Sequence, residues 1–311
     1  MISLEANEKT LREKDMALQP VPLNTTPDET YFRKSRLWQG IPGIERTYGG
    51  RFWRCFFSGG NDEGPDNYVA VEISDDACDT WSEPIVVIDP PGNVRAFDPC
   101  LWRTPSNELF LFWAQSYGGF DGRAGCWYSV CREPDEAPNV WTEPRRIADG
   151  VMLNKPTVLM NGEWALPITL WGHVKSSLNP NVPNCLAKMY VSSDQGKTFE
   201  YRGGVDMPNR WFDESMILEK NDGTLQMLTR RKDGIGEAFS HDGGRTWGKI
   251  GKFCLGGPNS RFHIRKLHSG HILLINHWSP DNRFDTPRGD DPDYMARNNL
   301  AAFLSVDDGK T

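Results

Sequence analysis

The sequence predicts an all-β chain of repeated four-stranded units, a β-propeller, and three observations lead there. Its 311 residues hold 12 Trp, 15 Phe and 8 Tyr beside 30 Gly and 22 Pro, a balance that favours short strands between tight turns over long helices. An eight-residue pattern, Ser-x-Asp-x-Gly-x-Thr-aromatic, occurs in full at Ser192–Phe199 and again at Ser240–Trp247. A turn followed by an apolar run recurs at Gly50, Asn107, Gly162, Gly223 and Gly270, at intervals of 57, 55, 61 and 47 residues. A period near 50 with several strands per unit is the spacing of propeller blades, in which radial repetition protects sheet edges. Five blades are expected.

Each element follows from its residues in turn. Residues 1–30 show no strand alternation and are read as an N-terminal extension, with the propeller over 31–311. The five runs, Gly50–Phe57, Asn107–Trp113, Gly162–Thr169, Gly223–Thr229 and Gly270–Asn276, are dense in Phe, Leu, Ile, Met and Trp and read as strands. A degenerate copy of the short pattern, Ser74–Trp81, has Cys78 where the others have Gly, and a fourth copy runs from Ser305 to Thr311. Trp81-Ser-Glu-Pro84 is echoed by Trp141-Thr-Glu-Pro144, which marks one more unit whose Asp pattern has eroded. The pattern explains itself mechanically: Asp, Ser and Thr bond turn backbone, Gly accepts positive φ, and the aromatic packs between sheets. Its expected role is structural.

Charge and composition narrow the function. Forty-two acidic against 35 basic residues give a net charge of −7 and a pI near 5.5, without the basic footprint of nucleic-acid binding. No membrane-spanning run is present, and the start of the chain lacks an apolar stretch behind basic residues, so a cytoplasmic protein is expected. The seven cysteines form no CxxC pair and the six histidines no ligand spacing, so neither a metal nor a cofactor is expected, and the thiols read as buried and free.

The short patterns resemble the Asp boxes of the sialidase (neuraminidase) superfamily, whose fold is a six-bladed β-propeller. The resemblance covers the chain from about Tyr31 onward and implies that the boxes lie away from the active site. With five blades counted and a stop inside a box, it also implies that a sixth blade is missing, and with it the family's Tyr nucleophile. Such enzymes use a Glu to activate that Tyr, an Asp as acid/base, and three arginines on the substrate carboxylate. Phe212-Asp-Glu214 followed by Leu228-Thr-Arg230 is similar to the stretch carrying the Glu and the second arginine. Arg297, one strand before Ser305, is similar to the third.

The first arginine has no counterpart. Where the family carries Arg-Ile-Pro, this chain reads Gly40-Ile41-Pro42, so Arg36 or Arg95 is left to supply the charge. Asp62, Glu63 and Asp66 lie in a loop similar to that of the acid/base. Asp98, Asn154 and Lys155 stand at blade starts that would face a substrate. The implied function is an exo-acting glycoside hydrolase for a terminal acidic or related sugar, with a carbohydrate as its partner. A non-catalytic binding propeller and a glycosidase for a neutral or uronic sugar are the alternatives.

Overall fold

The computed structural model describes residues 4–171, 186–212, 214–278, 287–288, 291–295, 297 and 299–311. They are all-β apart from one α-helix, α1 (Leu4–Asp15), and three short 3₁₀ turns before residue 36. The chain forms two compact units, the first running to Lys155 and the second beginning at Pro156. Five antiparallel blade sheets make up the propeller, two in the first unit and three in the second.

The first unit holds β1 (Gln39–Arg46), β2 (Phe52–Ser58), β3 (Tyr68–Ser74) and β4 (Val86–Ile88), paired in that order. Its second blade holds β5 (Val94–Arg103), β6 (Leu109–Tyr117), β7 (Gly125–Cys131) and β8 (Arg145–Asp149), again a simple meander. The second unit begins with β9 (Thr157–Val158), β10 (Trp164–Thr169), β11 (Ala187–Ser192) and β12 (Glu200–Val205). Then come β13 (Met216–Glu219), β14 (Leu225–Arg231), β15 (Gly234–Ser240) and β16 (Gly248–Lys252). In the last blade β17 (His263–Lys266) and β18 (Ile272–His277) pair in register. A two-stranded hairpin, β19 (Pro287–Arg288) with β20 (Asp291–Met295), follows, and β21 (Leu300–Ser305) returns to β18.

The five apolar runs are the second strands β2, β6, β10, β14 and β18. Such a strand has a paired neighbour on each edge and packing on both faces, so it loses the polar alternation of a half-exposed strand. All but the last residue of β6 is buried, whereas the outer strand β16 is exposed at four of five positions. Leu225 and Met227 of β14 join Met189, Val191 and Ala165 in one core, while Leu228 joins Ile264, Ile272 and Leu274 in another. The period of two thus divides β14 between two blade interfaces.

All four Asp patterns fold alike, and two of them join the third and fourth strands of a complete sheet in the second unit. In Ser192–Phe199, Ser192 Oγ donates to Asp194 Oδ1 at 2.9 Å, and Asp194 accepts from the Thr198 N–H at 2.9 Å and from Thr198 Oγ1 at 2.6 Å. Gly196 N–H closes the loop on Ser192 Oγ at 2.8 Å. The degenerate copy keeps every bond: Cys78 N–H reaches Ser74 Oγ at 3.0 Å, with Cys78 itself at φ +76°. Where β7 meets β8 the box has eroded. There Asp135 instead accepts from Thr47 Oγ1, Gly49 N–H and Asn107 Nδ2 and ties the loop to the preceding blade.

The N-terminal extension carries more structure than its sequence suggests. Gln115 Nε2 donates to the carbonyls of Ala17 and Gln19 at 3.0 and 2.9 Å, and Asn24 exchanges backbone hydrogen bonds with Val87 at 2.8 Å. The segment therefore extends a blade edge of the first unit. Among the described cysteines, Cys55, Cys100, Cys126 and Cys131 are buried free thiols, while Cys254 is exposed, contrary to expectation. Burial pushes the Cys131 thiol up to about 11. Cys185 lies outside the described residues.

Candidate active site

The second unit brings three predicted residues together. Glu214 sits two residues before β13, and the β13–β14 register, Met216 opposite Leu228, continues so as to set Glu214 opposite Arg230. Strand geometry thus places both side chains on one face. Arg230 Nη1 donates to Glu214 Oε1 at 2.9 Å, with only 5% of Arg230 and 7% of Glu214 exposed. The second carboxylate oxygen, Oε2, is buried without a hydrogen-bond partner among the described residues.

Asn259, which is fully buried, was missed in the sequence because it has no titratable group. Arg230 Nε donates to its Oδ1 at 2.8 Å, and Arg230 Nη2 to its carbonyl oxygen at 3.3 Å. Arg297, itself exposed, sends Nη2 to the same carbonyl at 3.1 Å. Among the described residues three of the five N–H donors of Arg230 are engaged, one on each nitrogen, so each terminal nitrogen keeps one donor for a ligand. The Phe212 ring lies 5.3 Å from the Arg230 guanidinium carbon and makes edge contacts with Trp171 and Trp211. Phe212 holds φ +57°, an unfavourable conformation for a bulky residue, fixed here by this aromatic packing. The next pair along the two strands, Ser215 and Thr229, falls on the opposite face, where Ser215 Oγ and Thr229 Oγ1 share a 3.1 Å hydrogen bond.

The first unit holds the remaining candidates, and it does not gather them all. Asp62, Glu63 and Asp66 are exposed in the β2–β3 loop. Asn67 pins that loop: its Nδ2 donates to the carbonyls of Gly59 and Asp62, its Oδ1 accepts from Gly64 N–H, and its own carbonyl accepts from Ala96 N–H on β5. Arg95 is buried on β5 with its guanidinium 3.8 Å from the centre of the Phe97 ring, and its Nε has no hydrogen-bond partner among the described residues. Burial pulls its pKa down, opposed by the charges of Asp98 and Glu63. Glu63, Arg95 and Asp98 therefore share one electrostatic neighbourhood. Asp62 Oδ1 instead caps the Glu63 N–H at 2.7 Å, and Asp66 acts on Asp89, helping to raise a carboxyl that burial already raises.

Two candidates have ion-pair partners within the first unit. Arg36 Nη1 donates to Glu72 Oε1 at 2.7 Å, Arg54 binds the other Glu72 oxygen, and all but 4% of the Arg36 side chain is buried against Phe56, while its Nε has no hydrogen-bond partner among the described residues. Lys155 is likewise paired, donating to Glu45 Oε2 at 2.7 Å and to the Ile44 carbonyl at 2.6 Å. Burial raises the Glu45 pKa, yet the charge and hydrogen bond of Lys155, with the N–H groups of Arg46 and Arg103, outweigh it and hold the carboxylate below its usual range. Neither acceptor was legible, since Glu72 and Glu45 lie 36 and 110 residues away. Asn154 is buried at the end of the first unit, and Asp98, also buried, takes φ +47°.

The absent first arginine has a steric counterpart. A Cβ at Gly40 would stand 2.7 Å from the Trp38 ring, which packs edge-on against Phe57 at 5.2 Å. Trp38 thus fills the space a side chain at position 40 would need. Among the described residues no cluster of His, Cys, Asp and Glu could hold a metal ion, and no helix is long and apolar enough to cross a membrane.

With this geometry established, the sequence profile of the BNR repeat-like domain matches residues 50–311. The chain belongs to that BNR repeat-like family. No curated protein matches its sequence. Among solved structures, this BNR repeat-like chain is similar to a protein of unknown function from Dyadobacter fermentans, at a TM-score of 0.62 and 18% identity over 82% of this chain and 79% of that one. It is similar to a Hadza microbial sialidase at a TM-score of 0.66 and 16% identity, over 89% of this chain and 57% of the sialidase. It also resembles the intramolecular trans-sialidase of Ruminococcus gnavus, solved with oseltamivir carboxylate, at 0.60 and 12% identity over 92% and 88% of the two chains. At such identities the likeness fixes the fold, a propeller of the sialidase type with five blades here.

Proposed function

We propose that this BNR repeat-like chain is a glycoside hydrolase of the sialidase-like kind, acting from the end of a glycan on a terminal acidic sugar. The observation that carries this is the buried Glu214–Arg230 pair, whose Glu214 Oε2 has no other bond to keep while Arg297 converges on the same backbone carbonyl. In this assignment Arg230 and Arg297 bind the substrate carboxylate, and Glu214 Oε2 takes the proton from the attacking hydroxyl. Within the first unit, the loop of Asp62, Glu63 and Asp66 is the acid/base candidate by resemblance, and Arg95, Asp98 and Asn154 are that unit's own candidates for sugar contact.

The test is hydrolysis of an aryl α-sialoside beside a panel of neutral and uronic aryl glycosides. Glu214→Gln is expected to lower kcat and kcat/KM together by about 10²–10⁴, the usual contribution of a general base. Full activity in that variant would refute the assignment. The Trp38 ring over Gly40 supports a second reading, a propeller that binds acidic carbohydrate without cleaving it. Binding of an acidic sugar with no turnover across the panel would favour that reading.

A further inference from the structure

Asn259 accepts hydrogen bonds from both arginines, and it sits in a turn built to hold it. Gly256 and Gly257 take φ +60° and +132°, where only glycine is comfortable, and Pro258 stiffens the next step. Ser260 N–H closes back on the Pro258 carbonyl at 2.8 Å, a three-residue turn centred on Asn259. Buried Asn276 supports it from below: its Nδ2 donates to the Gly256 carbonyl at 3.0 Å and would stand 2.9 Å from any Cβ added at Gly257. The turn is therefore fixed independently of the arginines, which come to it from β14 and from three residues before β21.

The chemistry of the acceptor matters as much as its place. Arg230 and Arg297 contribute two positive charges and Glu214 one negative, so the cluster carries a formal charge of +1, matched to one carboxylate. An Asp at position 259 would supply the same acceptor geometry with a charge that cancels the excess. An amide fixes the guanidinium through Nε and leaves the charge for a ligand. We propose that Asn259 is the positioning residue that joins Arg230 and Arg297 into one carboxylate receptor and, by being neutral, preserves its single positive charge. This rests on the assignment of the arginine pair to an acidic sugar.

The test pairs two probes that differ in charge by one esterified methyl group, 2,3-dehydro-N-acetylneuraminic acid and its methyl ester, with binding measured by calorimetry on the whole chain. The wild-type chain is expected to lose about 10-fold or more in affinity on esterification, the scale of a hydrogen bond to a charged group. Asn259→Asp is expected to weaken the acid by about 10-fold while leaving the ester within about 2-fold. Asn259→Ala, which keeps the backbone carbonyl and loses the whole carboxamide with its Oδ1 acceptor, is expected to fall between them and decides the matter if the Asp variant does not fold. Acid binding unchanged in both variants, or acid and ester weakened alike, overturns the role of Asn259 and leaves the arginine site standing. A wild-type chain that binds the acid no better than the ester overturns the arginine site itself, and Asn259's role with it.

Discussion

Arg230→Ala strands Glu214. That carboxylate is 7% exposed and among the described residues holds a single hydrogen bond, the one from Arg230 at 2.9 Å. Removing the guanidinium leaves a buried charge uncompensated, which costs about 3–5 kcal/mol, far more than an exposed pair would. Asn259 Oδ1 loses its 2.8 Å donor at the same time, but the two losses belong to one network and do not add, so about 4 kcal/mol is expected. Hydrogen exchange of the β13 and β14 amides is the suitable assay, because it reads local opening without assuming that two units unfold as one. Adding Glu214→Gln removes the stranded charge, so the double variant is expected to be more stable than Arg230→Ala alone by about 1–3 kcal/mol. A loss below about 1 kcal/mol in Arg230→Ala, or no recovery in the double variant, would refute the claim that this is a buried, mutually dependent pair.

The Asp boxes yield two further expectations. Cys78 holds φ +76° where the complete copies have glycine, a conformation costing an L-residue about 1–2 kcal/mol, so Cys78→Gly is expected to stabilise the first unit by roughly 0.5–1 kcal/mol after the entropy of glycine is deducted; destabilisation in thermal melts would contradict this. Hydrogen bonds from Thr80 and Thr198, with those from Ser74 and Ser192, depress Asp76 and Asp194 to about 2, and Asp242 and Asp307 lie well below the usual range for the same reason. Because the folded values lie below the unfolded value of about 3.9, the boxes' contribution is complete above that pH and is lost as pH falls through about 2. Asp194→Asn is expected to remove part of this acid dependence, and an acid-unfolding profile identical to the wild type would count against it.

The blades were legible because their signals are local. A second strand flanked by two neighbours is rich in apolar residues, and the box repeats its Ser, Asp, Gly and Thr within eight residues. Glu214 and Arg230 were legible only through the family resemblance of their stretch, and the hairpin register that sets them opposite each other came from the structure. The partners of Arg36 and Lys155 were hidden because a basic side chain announces its charge but not its partner, and Glu72 and Glu45 reach them only through the fold. Asn259 and Phe212 left no signal, one being an amide in a glycine turn and the other an aromatic in a chain rich in them. The N-terminal extension was likewise hidden, since its docking uses backbone carbonyls bonded by Gln115.

The central claim, that Arg230 and Arg297 form a carboxylate receptor beside Glu214, is tested most directly by a crystal structure of the chain soaked with 2,3-dehydro-N-acetylneuraminic acid. The account predicts the carboxylate of the sugar within about 3 Å of terminal nitrogens of both arginines, with the Glu214–Arg230 bond retained. A sugar bound elsewhere, or bound here with its carboxylate turned away from both guanidinium groups, would contradict it.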